Sequence, residues 1–336
     1  IVTGNENVAI GLQTMDALTS GTNNVAIGTA AMGGATTGCH NVAIGSAALG
    51  NAAVTSIYNV AIGGNAMDAL TTGICNVAIG TNALGASTTG CFNVAMGYLA
   101  LGGGVVGGSS GQGINNIALG NSTMDALTTG CNNIGLGQNA FGAGTSGGHN
   151  VAIGTTALAA STTGYYNIAI GLNALGSADT TGMDNIAIGQ KSAYVLTTGI
   201  CNVAIGTNAL GGSTTGCFNV AIGKCAGGGA TSTGKCNVFI GHTAGKTFTS
   251  ATDNVFMGRD TGVQLTTGSD NVGLGTYAMG QQDITGDDNV GLGRCALRSI
   301  TSGSCNIGIG YLAGSCNLAA QHNVINIGCN TINTTA

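Results

Sequence analysis

A five-residue phrase, Asn-[Val/Ile]-[Ala/Gly/Phe]-[Ile/Leu/Met]-Gly, returns along almost the whole chain at intervals of 17 or 18 residues. With its Asn set as position 0, the phrase begins at Asn7 and Asn24 and continues to Asn306 and Asn323, nineteen units in all. One interval is longer, 23 residues between Asn93 and Asn116. The last unit departs from the pattern: Asn323 leads to Val324, Ile325, Asn326, Ile327 and Gly328. A unit this short cannot bury its own apolar face, so a fixed period of this size requires units that stack on one another.

Other columns hold in the same frame. Position −4 is Thr or Ser in seventeen units and position −3 is Gly in sixteen. Position +8 is Leu or Met in many units, as at Met32, Leu49 and Leu84, and becomes Gly at Gly227, Gly245, Gly262 and Gly314. Residues 70–97 and 196–223 differ at only two positions, the mark of duplication. Gly at 63 of 336 residues and Thr every few positions weigh against helices. Collagen is excluded by the absence of Pro and of a three-residue Gly period. A chain that is 43% hydrophobic and 6% charged is not disordered by composition, and no apolar run is long enough for a helical membrane span. Seven Lys and Arg against a net charge of −5 leave no nucleic-acid footprint.

Within the phrase, +1 and +3 are aliphatic, as in Val25 and Ile27, and point to one side of a strand, while +2 points to the other. Gly at +4 and the Thr-Gly pair at −4 and −3 supply turns. The expected fold is all-β: a parallel β-solenoid, or β-roll, of about nineteen coils forming one repeat domain over 1–336. Its Val, Ile and Leu columns are expected inside. Coils about 4.8 Å apart would make a rod on the order of 90 Å long. Asn24, Asn41, Asn59, Asn76 and Asn93 would form an amide ladder from coil to coil. Position +2 holds no polar residue in any of the nineteen units. Ala26, Ala43, Ala61, Ala78, Ala152, Ala204, Phe239 and Phe256 are therefore read as a second face. That face would be covered either by further copies of the chain or by a second sheet of the same chain.

The repeated N-V-A-I-G-x-x-A-L resembles the head repeats of trimeric autotransporter adhesins and similar repeats in phage tail fibres. The resemblance covers essentially the whole chain. It implies a parallel β-roll with one repeat per coil and three chains side by side in a homotrimer. It also implies adhesion or attachment at a cell or virion surface, toward an unknown receptor or glycan. The repeat here is longer than the usual adhesin repeat. Neither a coiled-coil stalk nor a membrane barrel is seen, so the chain is expected to be a fragment, a processed product, or a different fibre built from the same coil.

Twelve Cys stand out against this composition, eight of them at −1 or −2. Cys75 with Cys91, and Cys217 with Cys201 or Cys236, lie in neighbouring coils, within the span of a disulfide. They are read as candidate staples of an extracellular protein, with small apolar corner filler as the alternative. All seven basic residues lie after residue 190, which suggests either drift or a head-to-tail filament with unlike ends. The 23-residue interval is expected to bulge as a loop insertion at 102–113, with Val105 to Ser110 dispensable for folding. No catalytic, cofactor or metal constellation emerges. The leading function is a non-catalytic fibre subunit, with an ice-binding solenoid as the alternative. An acyltransferase hexapeptide helix fails because position +9 holds residues such as Asp16 and Gly33.

Overall fold

Each repeat becomes a coil carrying one three-residue strand, in a computed structural model that describes residues 4–50, 54–107, 112–229, 231–280, 282–316 and 319–331. Nineteen strands and no helix form among these residues. The chain divides into two compact units, Ile1–Tyr166 and Asn167–Ala336. The first carries β1 (Val8–Ile10) to β9 (Val151–Ile153), and the second β10 (Ile168–Ile170) to β19 (Ile325–Ile327). Within each unit, consecutive strands pair in parallel with like positions superimposed. Val25, Ala26 and Ile27 lie against Val42, Ala43 and Ile44, and Val203, Ala204 and Ile205 against Val220, Ala221 and Ile222. Each unit is therefore a parallel β-solenoid.

This superposition corrects the frame of the last coil. Ile325 pairs with Ile307 and Asn326 with Gly308, so Val324, not Asn323, occupies position 0. The Val324 amide accordingly donates to Asn306 Oδ1 at 3.0 Å. The last interval is thus 18 residues.

The corners are built from left-handed residues. In a representative coil these are Cys75 (φ 57°) at −1, Asn82 (φ 55°) at +6 and Leu84 (φ 49°) at +8. Such conformations cost about 1–2 kcal/mol each for residues with a Cβ. Coil-to-coil hydrogen bonds offset that cost: Asn82 N donates to Gly64 O and Leu84 N to Ala100 O, both at 3.0 Å. At +4 the bend is sharper and only Gly fits. Gly80 has φ 136°, and a Cβ there would run into the Gly97 carbonyl oxygen.

The coil is turned the opposite way from the sequence expectation. Position +2 faces the interior of its own coil, where Ala26, Ala43, Ala61, Ala78, Ala152, Ala204, Phe239 and Phe256 are all fully buried. They cannot form an oligomer face. The aliphatic +1 and +3 residues point outward instead. The reason is space: the coil is thin, and +2 must share its interior with the large side chain at +8, such as Met32, Leu49 or Leu84. Ala opposite Leu fills that interior, and so does Phe opposite Gly. A Cβ on Gly262 would meet the Phe256 ring at 2.8 Å, and one on Gly245 would run into the Phe239 ring. Phe239 packs against Phe248 with centroids 4.9 Å apart.

The 102–113 stretch is also more than a bulge. Val106 is fully buried, and its carbonyl accepts from Thr88 N and Gly90 N, each at 3.2 Å, and from Ser87 Oγ at 3.0 Å. Val105 to Ser110 therefore includes a core residue, which a purely surface bulge would not. Residues 108–111 of that stretch lie outside the described residues.

Candidate assembly surface

Within each unit the Asn column links successive coils in register, up to the Val324 coil. Asn76 Nδ2 donates to Asn59 Oδ1 at 3.1 Å and to Gly90 O at 2.8 Å. Its own Oδ1 accepts from Asn93 N at 2.9 Å and Asn93 Nδ2 at 3.2 Å. The same pattern links Asn24, Asn41 and Asn59, and it recurs in the second unit from Asn185 to Asn306. The Asn amide thus does in side-chain form what a backbone ladder does between flat strands, at a corner where the backbone turns away.

A second ladder runs beside it at −2. There the side chain of one coil accepts from the backbone amide of the coil before. The acceptor is Sγ of Cys39 for Thr22 N at 3.4 Å and Sγ of Cys91 for Ile74 N at 3.3 Å. Toward the other end it is Ser269 Oγ for Thr252 N, Asp287 Oδ1 for Ser269 N, Ser304 Oγ for Asp287 N and His322 Nδ1 for Ser304 N. Cys39 and Cys91 therefore serve as hydrogen-bonding side chains between coils, and all twelve thiols are free. This corrects the staple expectation for Cys75, Cys91, Cys201, Cys217 and Cys236. Cys75, Cys201 and Cys236 stand at −1, and Cys91 and Cys217 at −2. Because coils superimpose like on like, cysteines of neighbouring coils fall in different columns. Cys217 Sγ, for instance, lies against its own Thr215 carbonyl at 3.4 Å.

Threonines at −5 are used in the same internal way. Thr71, Thr128 and Thr197 hydroxyls donate to the carbonyls of Thr88, Thr145 and Thr214, each at 3.0 Å. Thr side chains also reach the surface at −4, as Thr37 and Thr72 do, and at +5, as Thr81 and Thr155 do.

With Asn, Thr and Cys accounted for, the chemically unusual surface is the outer strand face. Its two columns are Val or Ile at +1 and Ile, Leu or Met at +3. Met96 and Met257 are each 41% exposed, and Ile222 and Leu274 37%. Three residues per strand and nine or ten strands per unit give a strip on the order of 400 Å² in each unit. That is the size at which an apolar patch on a monomer is commonly functional.

The −1 and +5 columns flank this strip. Aromatics stack along the −1 edge, with His40 on Tyr58 at 5.0 Å and His149 on Tyr166 at 4.9 Å between centroids. Lys224, Arg259 and Arg294 stand exposed at +5. The Arg259 guanidinium lies 5.3 Å from the Tyr277 ring and that of Arg294 5.7 Å from Tyr311. Asp260 accepts from the Thr243 hydroxyl and lies 3.7 Å from Arg259 Nε.

Two shallow grooves run beside the +6 column. One, of about 330 Å³, is lined by Asp260, Val263, Gln264, Tyr277 and Gly280. The other, of about 260 Å³, includes Asn65, Asp68 and Asn82. Neither sets a nucleophile against a base. Among the described residues, no three His, Cys, Asp or Glu side chains converge as a metal site, and no helix is long and apolar enough to cross a membrane. Sequence reasoning missed both the outward strip and the −2 ladder. The ladder is discontinuous in the sequence: −2 holds Cys, Ser, Thr, Asp and His in some coils, but Ile57, Ile74, Ile114, Gly148, Tyr165, Met183, Ile200 and Lys235 in others. No family model matches the chain, and no curated protein matches it.

Proposed function

We propose that the chain is a non-catalytic, self-associating subunit of an extracellular or surface fibre, its copies joined side by side through the +1 and +3 columns. One observation carries this reading: both units expose an uncharged aliphatic strip along the strand face that a solitary solenoid would present to water as polar. The resemblance to adhesin and tail-fibre repeats supports a homotrimer with an attachment role, with the partner face moved from +2 to +1 and +3. The ice-binding alternative keeps less support, because the −5 hydroxyls donate to the next coil and are not free beside the −4 rank.

The test is oligomeric mass. Ile79→Lys with Ile205→Lys places one charge on the strip of each unit without touching the buried columns. The wild-type chain should sediment as a multimer at micromolar concentration. The variant should sediment as a single chain with an unchanged far-UV spectrum. A wild-type chain of single-chain mass, or a variant that keeps the assembled mass, would refute the proposal.

A further inference from the structure

The charges at the two edges of the strip are paired within coils. In the second unit, three coils place an exposed Asp at −1 before the strand and an exposed base at +5 or +6 after it. These are Asp184 with Lys191, Asp253 with Arg259, and Asp288 with Arg294. The last two read D-N-V-F-M-G-R and D-N-V-G-L-G-R. The two members of a pair do not reach each other within the chain. They lie at opposite ends of the strand segment, six or seven residues or about 20 Å apart. Among the described residues, the ion pairs of this unit are His242 and Arg259 with Asp260. Asp184, Asp253 and Asp288 are in neither, and nor are Lys191 and Arg294. An additional exposed acid, Asp270, stands at −1 between Asp253 and Asp288, stacking like charge on like.

Symmetry says where such edges would meet. A rotation axis parallel to the coil stack brings the −1 edge of one copy against the +5 edge of the next, for two copies or for three. A two-fold axis perpendicular to the stack brings −1 against −1 and +5 against +5, acid on acid and base on base. The charge pattern fits only the first arrangement. It also favours zero offset, because three acids then meet a base, whereas a slip of two coils keeps only two such pairs, with Lys224 supplying one. With no offset, Asp184, Asp253 and Asp288 all face a Lys or Arg. With an offset of one coil in either direction, only Asp270 faces Arg259 or Arg294. The others face Leu172, Thr207, Thr276, Tyr311 or His242.

We infer that copies of this chain associate parallel and in register about an axis along the coil stack. Asp184, Asp253 and Asp288 of one copy then pair with Lys191, Arg259 and Arg294 of the next. The inference rests on the outer strip being the assembly surface and adds polarity and register to it. Charge pairs of this kind select a partner orientation and exclude others more than they add raw affinity.

Sedimentation of the full chain at low salt separates the two claims. K191D with R294D makes both edges acidic and should weaken association at least tenfold. D184K with D288R sets base against base in two of the three pairs and should do the same. The fourfold swap, which reverses two of the three pairs and leaves Asp253 with Arg259, should restore the wild-type mass. An assembled mass unmoved by either double reversal would overturn the parallel arrangement while leaving the strip as the assembly surface. A wild-type chain that never associates would overturn both.

A second readout needs no variant. Carbodiimide treatment of mixed ¹⁴N- and ¹⁵N-labelled wild-type chains should yield an Asp184–Lys191 cross-linked peptide of mixed label in the multimer band. Multimers that lack this peptide would count against the register.

Discussion

Replacing Asn76 by Ala tests whether the amide ladder holds the coils together. Asn76 Nδ2 makes two bonds and its Oδ1 accepts two, all in the buried interior. Some partners keep a second bond after truncation. Asn59 Oδ1 still receives the backbone amide of residue 76 at 2.9 Å, and Asn93 Nδ2 still reaches Gly113 O at 2.8 Å. The Asn93 amide loses the acceptor it has here and becomes an unpaired buried donor. Four bonds at about 1 kcal/mol each, one leaving an orphan donor, put the loss at about 3–5 kcal/mol. In a stack whose coils touch only their neighbours, that loss concentrates at this step of the column. Urea unfolding measures the global part. Hydrogen exchange at the Asn93 amide measures the local part, where protection should fall by more than about 10²-fold. Thr81→Ala, at an exposed position of the same coil, should stay within about 0.5 kcal/mol. If Asn76→Ala costs less than about 1 kcal/mol, the column does not hold the coils in register as described.

Two further substitutions probe the interior and the second ladder. Phe256→Ala should cost about 3–5 kcal/mol through the cavity it opens. Phe256→Ala with Gly262→Leu rebuilds the Ala-and-Leu interior of most coils and should recover much of that in a thermal melt. A double variant no better than the single one would deny the size exchange between +2 and +8. Cys91→Ser keeps an acceptor for the Ile74 amide and should melt close to the wild type. Cys91→Ala leaves that amide without its acceptor and should cost about 1–2 kcal/mol. Equal melting of the two variants would remove the hydrogen-bonding role assigned to the thiol.

Much of the fold was legible because the repeat imposes it. A fixed period with Gly at +4 and Asn at 0 permits little besides stacked parallel strands, and those two columns do what their chemistry dictates. The facing of the coil was not legible. Val and Ile are larger and more often buried than Ala, so apolar size places +1 and +3 inside. In a strand with a period of two, that choice reverses every side chain at once. The deciding fact is the cross-section of the coil, set by the large residue at +8 approaching from the opposite wall. The exchange of Ala and Leu for Phe and Gly was written in the sequence at two coils, Phe239 with Gly245 and Phe256 with Gly262, but not at Ala221 with Gly227 or Gly308 with Gly314. The staple reading failed for a related reason. Proximity of coils was inferred correctly, but like positions superimpose, and cysteines at −1 and −2 belong to different columns. The last coil was misframed because Asn323 looked like the motif, whereas Gly328 and the Ile325–Ile327 strand align only with Val324 at position 0.

What packing within one chain leaves free is informative about the rest. The interior columns at 0, +2, +7, +8 and +11, the last with Leu70, Leu127, Phe248 and Ile300, fill the coil, and the Gly at +4 bends it. The outer positions have no such duty, and where they flank the strip they vary widely: −1 holds Asn, His, Tyr, Cys, Phe and Asp from coil to coil. The strand positions +1 and +3 are equally outward, and Thr would serve them well as a β-branched residue content in water. Yet all nineteen coils carry Val or Ile at +1, and Ile, Leu or Met at +3. Copying alone does not account for this, since the neighbouring −1 and +5 columns were copied with the same coils and diverged. A requirement that the isolated coil does not impose, and that both units meet throughout, is what a surface covered by a neighbouring copy would demand.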